Sequence, residues 1–229
     1  MHDEHHLKSS DTIRDIVIGM SDGLTVPFAL AAGLSGAIAK SDIVVTAGIA
    51  EIVAGSIAMG LGGFLAGHTE SDHYNSELKR EYDEVERAPE QEKFEVKEVF
   101  ADFGLSPALQ DQIAEEMAKD KDKWVNFMMR YELGLEKPEA NRATQSALTI
   151  GISYIVGGII PLSPYFFIAD SQKALYYSCA ITMVCLFVFG YFKSRVTGQP
   201  AFSGALKVLI IGALAATAAF VMAKLINGK

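Results

Sequence analysis

Ile18-Gly19-Met20-Ser21-Asp22-Gly23-Leu24-Thr25-Val26-Pro27-Phe28-Ala29-Leu30-Ala31-Ala32-Gly33-Leu34 forms the middle of an apolar stretch covering residues 13–39. A helix of that length spans about 40 Å, more than the roughly 30 Å of bilayer hydrocarbon. Asp22 therefore sits at membrane depth. A charged acid there costs about 2.5–3.5 kcal/mol on insertion scales, so its presence argues for an ion path. Pro27 lacks the N–H that would pair with the Gly23 carbonyl, and its ring disfavours a straight helix. The sequence thus predicts a break beside the acid, with a freed carbonyl as a further cation ligand.

Working outward, four more apolar stretches follow, at 43–67, 144–167, 174–192 and 205–226, and the second carries Glu51. With half its residues hydrophobic and a mean hydropathy of +0.22, the chain is too apolar for a soluble domain. The fold class expected is all-α: a polytopic membrane protein of five transmembrane helices, with a small cytosolic helical domain between helices 2 and 3. The boundaries read as 1–70 for the tail and first two spans, 71–138 for the inserted domain and 139–229 for the last three spans. Pro161 and Pro164 end the third span early or kink it. Residues 1–10 are polar and predict no cleaved signal peptide. His2, Asp3, Glu4, His5 and His6 offer metal-binding side chains, but they read first as a solvated tail. Cys179 and Cys185, six apart on one helix, face opposite ways and predict neither a disulfide nor a metal pair.

The charge of −8 lies in one place. Residues 71–138 hold 18 acids against 10 bases, and the rest of the chain balances ten against ten. Lys8, Arg14, Arg142 and the Lys193–Arg195 loop fall on one side of a five-span topology. The positive-inside rule makes that side cytosolic, together with the insert, and puts the C-terminus across the membrane.

Spans one and two run antiparallel, which allows depth matching. Asp22 and Met59 fall in one layer, and Glu51 lies two turns, about 12 Å, toward the opposite face. Oxygen ligands joined by a thioether favour softer divalent metals such as Fe²⁺, Mn²⁺ or Co²⁺ over Mg²⁺ and Ca²⁺. Glycines crowd these spans and allow close helix packing or a dimer seam.

In the insert, helices are expected to about residue 86, over 90–103 and over 107–134, the last breaking near 119–123, with Pro89, Gly104 and Pro107 as punctuation. Phe94, Val99, Phe100, Leu109, Ile113, Trp124 and Phe127 are the expected core. Glu81 and Glu84 share a helix face, as do Glu92 and Glu95, and the Pro89 turn folds the two pairs together. Met128, Met129 and Glu132 add a further cluster. Gathered carboxylates are costly unless a cation neutralises them. The plainer alternative is a solvated acidic surface partnered by Lys79, Arg80, Lys93 and Lys97.

The stretch 18–34 resembles the first-span signature of the vacuolar iron transporter family, in its plant-type form. Residues 51–59 resemble that family's second span, and the insert resembles its metal-binding domain. The resemblance covers essentially the whole chain. It implies a non-enzymatic homodimer in the vacuolar membrane that exchanges cytosolic Fe²⁺, with Mn²⁺, Co²⁺ and Zn²⁺ as further substrates, for vacuolar H⁺. It carries no implication of nucleic acid or a prosthetic group; the partners are lipid, metal ions and protons. Asp22, Glu51 and Met59 would then form the transport path, and Glu81, Glu84, Glu92, Glu95, Met128, Met129 and Glu132 the metal-collecting site. Two other classes use overlapping residues. One is a metal-gated channel without proton coupling. The other is a membrane-anchored ferritin-like oxidase, against which the missing Glu-x-x-His motif counts.

Overall fold

The computed structural model describes residues 10–37 and 39–226. The histidine-rich segment 2–6 lies outside the described residues. Eight α-helices follow in order: α1 (Ser10–Ala37), α2 (Ser41–Arg87), α3 (Pro89–Asp102), α4 (Pro107–Met117), α5 (Lys121–Phe127), α6 (Arg142–Leu162), α7 (Ser171–Val196) and α8 (Ala201–Ile226). A π-helical turn, Met128–Glu132, continues α5, and a 3₁₀ turn, Ser163–Phe166, continues α6. The described residues contain no β-strand, only an isolated antiparallel bridge between Lys40 and Asp170. Five helices are long and apolar enough to cross a membrane: α1, α2, α6 with its 3₁₀ turn, α7 and α8.

The chain divides into two compact units. The first holds α1, α2 as far as Phe64, and everything from Ala143 on. Its helices pack through glycine. A methyl group at Gly19 would strike the Ile150 carbonyl and Ser153, and one at Gly157 would meet the backbone of Gly23 and Leu24. Gly33 and Gly36 of α1 face Ala219 and Phe220 of α8. Two small apolar cores result, one around Ala31, Val44, Leu162 and Tyr165, the other around Phe28, Ala32 and Ala216.

The break expected at Pro27 does not occur: α1 runs through it. Gly158 of α6 leaves space for the pyrrolidine ring, whose Cγ would lie 3.1 Å from a methyl at that glycine. Pro161 is likewise inside α6, and the helix tightens to 3₁₀ at Ser163-Pro164.

The second unit, Leu65–Arg142, is a helical cluster with its own core of Tyr74, Val85, Val96, Ala114, Trp124, Val125, Met128 and Met129. Pro89 and Pro107 occupy first-turn positions, where their missing N–H needs no partner. Gly104 closes α3 at φ 79°, a conformation open chiefly to glycine. The helix expected over 107–134 breaks within 119–123, as its sequence suggests, where Asp120 caps a new helix by accepting from Lys123 N at 3.2 Å; the π-helical turn at Met128–Glu132 is a second interruption. Of the expected core, Trp124 is buried, and Val99, Phe100, Ile113 and Phe127 are half-buried. Phe94 and Leu109 are 52% and 45% exposed. On α3 the buried face is Glu92 and Val96, so Phe94 points away from it.

Candidate cation path and carboxylate cluster

In the first unit, α6 lies along both α1 and α2, and its residues set the depth register. Gly19 of α1 and Gly63 of α2 both meet Ile150, while Gly23 and Gly55 both meet Tyr154. Asp22 lies between the first two α1 positions, and Met59 lies between the two α2 positions. Asp22 adjoins Gly23, which meets the Tyr154 backbone, while Met59 adjoins Gly60, which meets Ala147, seven residues earlier on α6; both are half-buried. Glu51 lies one turn beyond Gly55. The Tyr154 hydroxyl donates to Glu51 Oε1, and Asp22 is near enough to act on that hydroxyl through space. The other carboxylate oxygen, Glu51 Oε2, is buried with no hydrogen-bond partner. An orphaned acceptor in such a place is costly unless a proton or cation satisfies it.

Tyr154 is not among the expected site residues; the signal that could have found it is the Ile150-Gly151-Ile152-Ser153 run before it, which repeats Ile18-Gly19-Met20-Ser21 ahead of Asp22. Asp15 is also buried, at 2% exposure. It sits beside Arg14 at the rim of the span, where an acid is ordinarily solvated.

In the second unit, Glu81 of α2 and Glu92 of α3 are 2% and 3% exposed. The Oε2 atom of each lacks a hydrogen-bond partner. Burial, the largest cause, and then Glu132, Glu84 and Glu95 push the Glu81 carboxyl up to about 7 against the pull of Arg80. Burial and then Glu95, Glu81, Glu84 and Glu132 push Glu92 up to about 7. Glu132, on the π-turn, is raised by burial and by Glu95 and Glu84. Glu81, Glu84, Glu92, Glu95 and Glu132 are therefore one electrostatic cluster. Met128 and Met129 are fully buried in the adjoining core.

The lysines do not neutralise this cluster. Lys93 pairs with Glu90 and Glu115, and Lys97 with Asp111, both turned toward α4. Arg80 reaches Glu84 at 3.5 Å and also holds Glu77. Glu95 accepts from Gln91. Two buried carboxylates, each with an unpartnered oxygen, beside half-buried Glu84 and Glu95 and exposed Glu132 suit a divalent cation. The arrangement is open, however: among the described residues no three His, Cys, Asp or Glu side chains close on a single point.

The fold and these sites define a multi-span helical membrane protein with carboxylates on its interior seam and a separate acidic helical unit. The chain belongs to the VIT family, whose model matches residues 13–224. It is 51% identical to vacuolar iron transporter 1 of Tulipa gesneriana over 226 residues, 99% of this chain and 92% of that protein. Vacuolar iron transporter 1 of Arabidopsis thaliana is also 51% identical, over 99% of this chain and 90% of its own length. Protein CCC1 of Saccharomyces cerevisiae is 40% identical over 94% of this chain and 69% of its own.

Proposed function

We propose that this chain moves Fe²⁺ from the cytosol into the vacuole in exchange for protons, with Mn²⁺, Co²⁺ and Zn²⁺ as further substrates. The observation that carries the reading is the seam of α1, α2 and α6, where Asp22 adjoins the Gly23–Tyr154 crossing, the Tyr154 hydroxyl donates to Glu51 Oε1, and Glu51 Oε2 has no partner. Family membership and the names of the relatives supply the metal and the compartment.

The Leu65–Arg142 unit is cytosolic, and its glutamate cluster concentrates metal on that side of the membrane. Asp22 and Met59 bind the ion next. Glu51, nearer the acidic lumen, takes a proton as the metal leaves, which removes ligand charge and couples the two fluxes. The subunit works as a homodimer. Thr46, Ala50, Ala54, Ala58 and Gly62 support this: they form an exposed stripe of small residues, four apart along α2. Such a stripe allows close approach of a second helix in lipid.

The test is Fe²⁺ uptake into proteoliposomes across a set pH gradient. Asp22→Ala and Glu51→Ala are each expected to lower uptake at least tenfold. Normal flux in either variant overturns the path, and uptake indifferent to the gradient leaves a channel.

A further inference from the structure

The first unit contains a duplicated helical hairpin. The tip between α1 and α2 meets the tip between α6 and α7 through reciprocal bonds: Ser41 N donates to Ala169 O at 3.0 Å, and Ser171 N donates to Ala39 O at 3.0 Å. Lys40 and Asp170 form the antiparallel bridge between them. An antiparallel bridge is two-fold symmetric, and its paired residues stand 130 positions apart. Deeper along the same seam, Ser35 and Tyr165, also 130 apart, are hydrogen-bonded at 2.9 Å. The spacing holds in the second helix of each hairpin. Ser41, Val44, Gly48, Ile52, Ser56 and Gly60 are buried on α2. Ser171, Ala174, Ser178, Thr182, Leu186 and Gly190 are buried on α7, each 130 positions on. Packing follows suit, with α2 against α6 and α7 against α1. Buried faces in phase would be weak support alone, but two contacts between counterparts across one seam, one of them made by a reciprocal pair of bonds, are not.

The first helices also correspond in sequence. Ile18-Gly19-Met20-Ser21-Asp22 in α1 matches Ile150-Gly151-Ile152-Ser153-Tyr154 in α6, with two fewer residues between this motif and the tip in the second copy. Tyr154 therefore takes in α6 the seat that Asp22 takes in α1. Two glycines make room for it: a methyl group at Gly23 would collide with its backbone carbonyl, and one at Gly55 with its ring and hydroxyl. So confined, the hydroxyl is directed at Glu51 Oε1, which leaves Oε2 as the open atom. A carboxylate in that seat would place a third negative charge beside Asp22 and Glu51. A phenol supplies a donor with no charge.

We infer that Tyr154 is a positioning residue of the cation path, the neutral counterpart of Asp22 in a duplicated hairpin, which pins one oxygen of Glu51 so that the other faces the ion. This rests on the transport reading above and adds to it a residue that orients rather than binds.

The test uses the full chain in proteoliposomes, with Tyr154→Phe, which keeps the ring against Gly55. Loss of one hydrogen bond to an acid is expected to lower Mn²⁺ uptake about tenfold or more. A second readout needs no transport: the infrared carboxyl band assigned to Glu51 by its disappearance in Glu51→Gln. That band is expected to shift in Tyr154→Phe. Uptake within twofold of the parent chain overturns the inference, as does an unmoved Glu51 band. If the parent chain itself carries no cation, the transport reading fails. The infrared band then still reports whether Tyr154 holds Glu51.

Discussion

A carboxyl group buried without a counter-ion favours its protonated form, and Glu81 and Glu92 are both so placed. Their folded-state values near 7 lie above the ordinary 4.5. The sign follows: protonation stabilises the fold fully below about 4.5, and that stability is lost as pH rises through 7. Trp124, the single tryptophan of the chain, is buried in the same core and reports on this unit alone. We expect its fluorescence melt, without metal, to fall by at least about 4 °C from pH 5 to pH 7.5. Mn²⁺ at pH 7.5 should restore it, because a cation replaces the lost protons. In Glu81→Gln/Glu92→Gln the pH dependence should flatten and the response to Mn²⁺ shrink. A melt independent of pH in the parent chain would contradict this account of the cluster.

Helices meet here where side chains are missing, which makes glycine substitutions informative element by element. Gly23→Ala places a methyl against the Tyr154 backbone at the crossing of α1 and α6. Overpacking of that kind costs about 1–3 kcal/mol, so a clear drop in the detergent melting temperature is expected. Gly151→Ala, whose added carbon meets only the Ser56 carbonyl at 3.3 Å, should lower that temperature much less. Equal effects at the two sites would contradict the crossing. Such contrasts also mark what the sequence can disclose. Pro89, Gly104 and Pro107 act through their own backbones, so the helix ends near them were legible. The acids Asp22 and Glu51 stood out by their cost in an apolar run. Pro27 misled, because its effect depends on Gly158 across the seam. Phe94 and Leu109 were expected inside, but an aromatic or leucine on an amphipathic helix does not say which neighbour arrives to cover it. The π-turn at Met128–Glu132 was invisible. Its Leu133 N to Met128 O bond follows from packing and from Gly134, at φ 64°, turning the chain out.

At the scale of the whole molecule, the exposed small-residue stripe on α2 makes the assembly testable. Ala54→Leu/Ala58→Leu adds bulk where the subunit itself has space, since both positions are exposed. The expected result is a fold with unchanged helicity that elutes as a single copy in detergent, whereas the parent chain elutes as two. A parent chain that runs as one copy would remove the homodimer. The duplicated hairpin adds a consequence through the helix it does not account for. Helix α8 packs on α1 and α7, and the matching flank on α6 and α2 carries no such helix among the described residues: Ile49, Val53 and Ile57 are 45%, 53% and 65% exposed. Two hairpins alone would present two interchangeable flanks, each able to seat a neighbour, and copies could add in a row. With one flank filled from within, the subunit is monovalent, and any assembly built through the other closes at a pair.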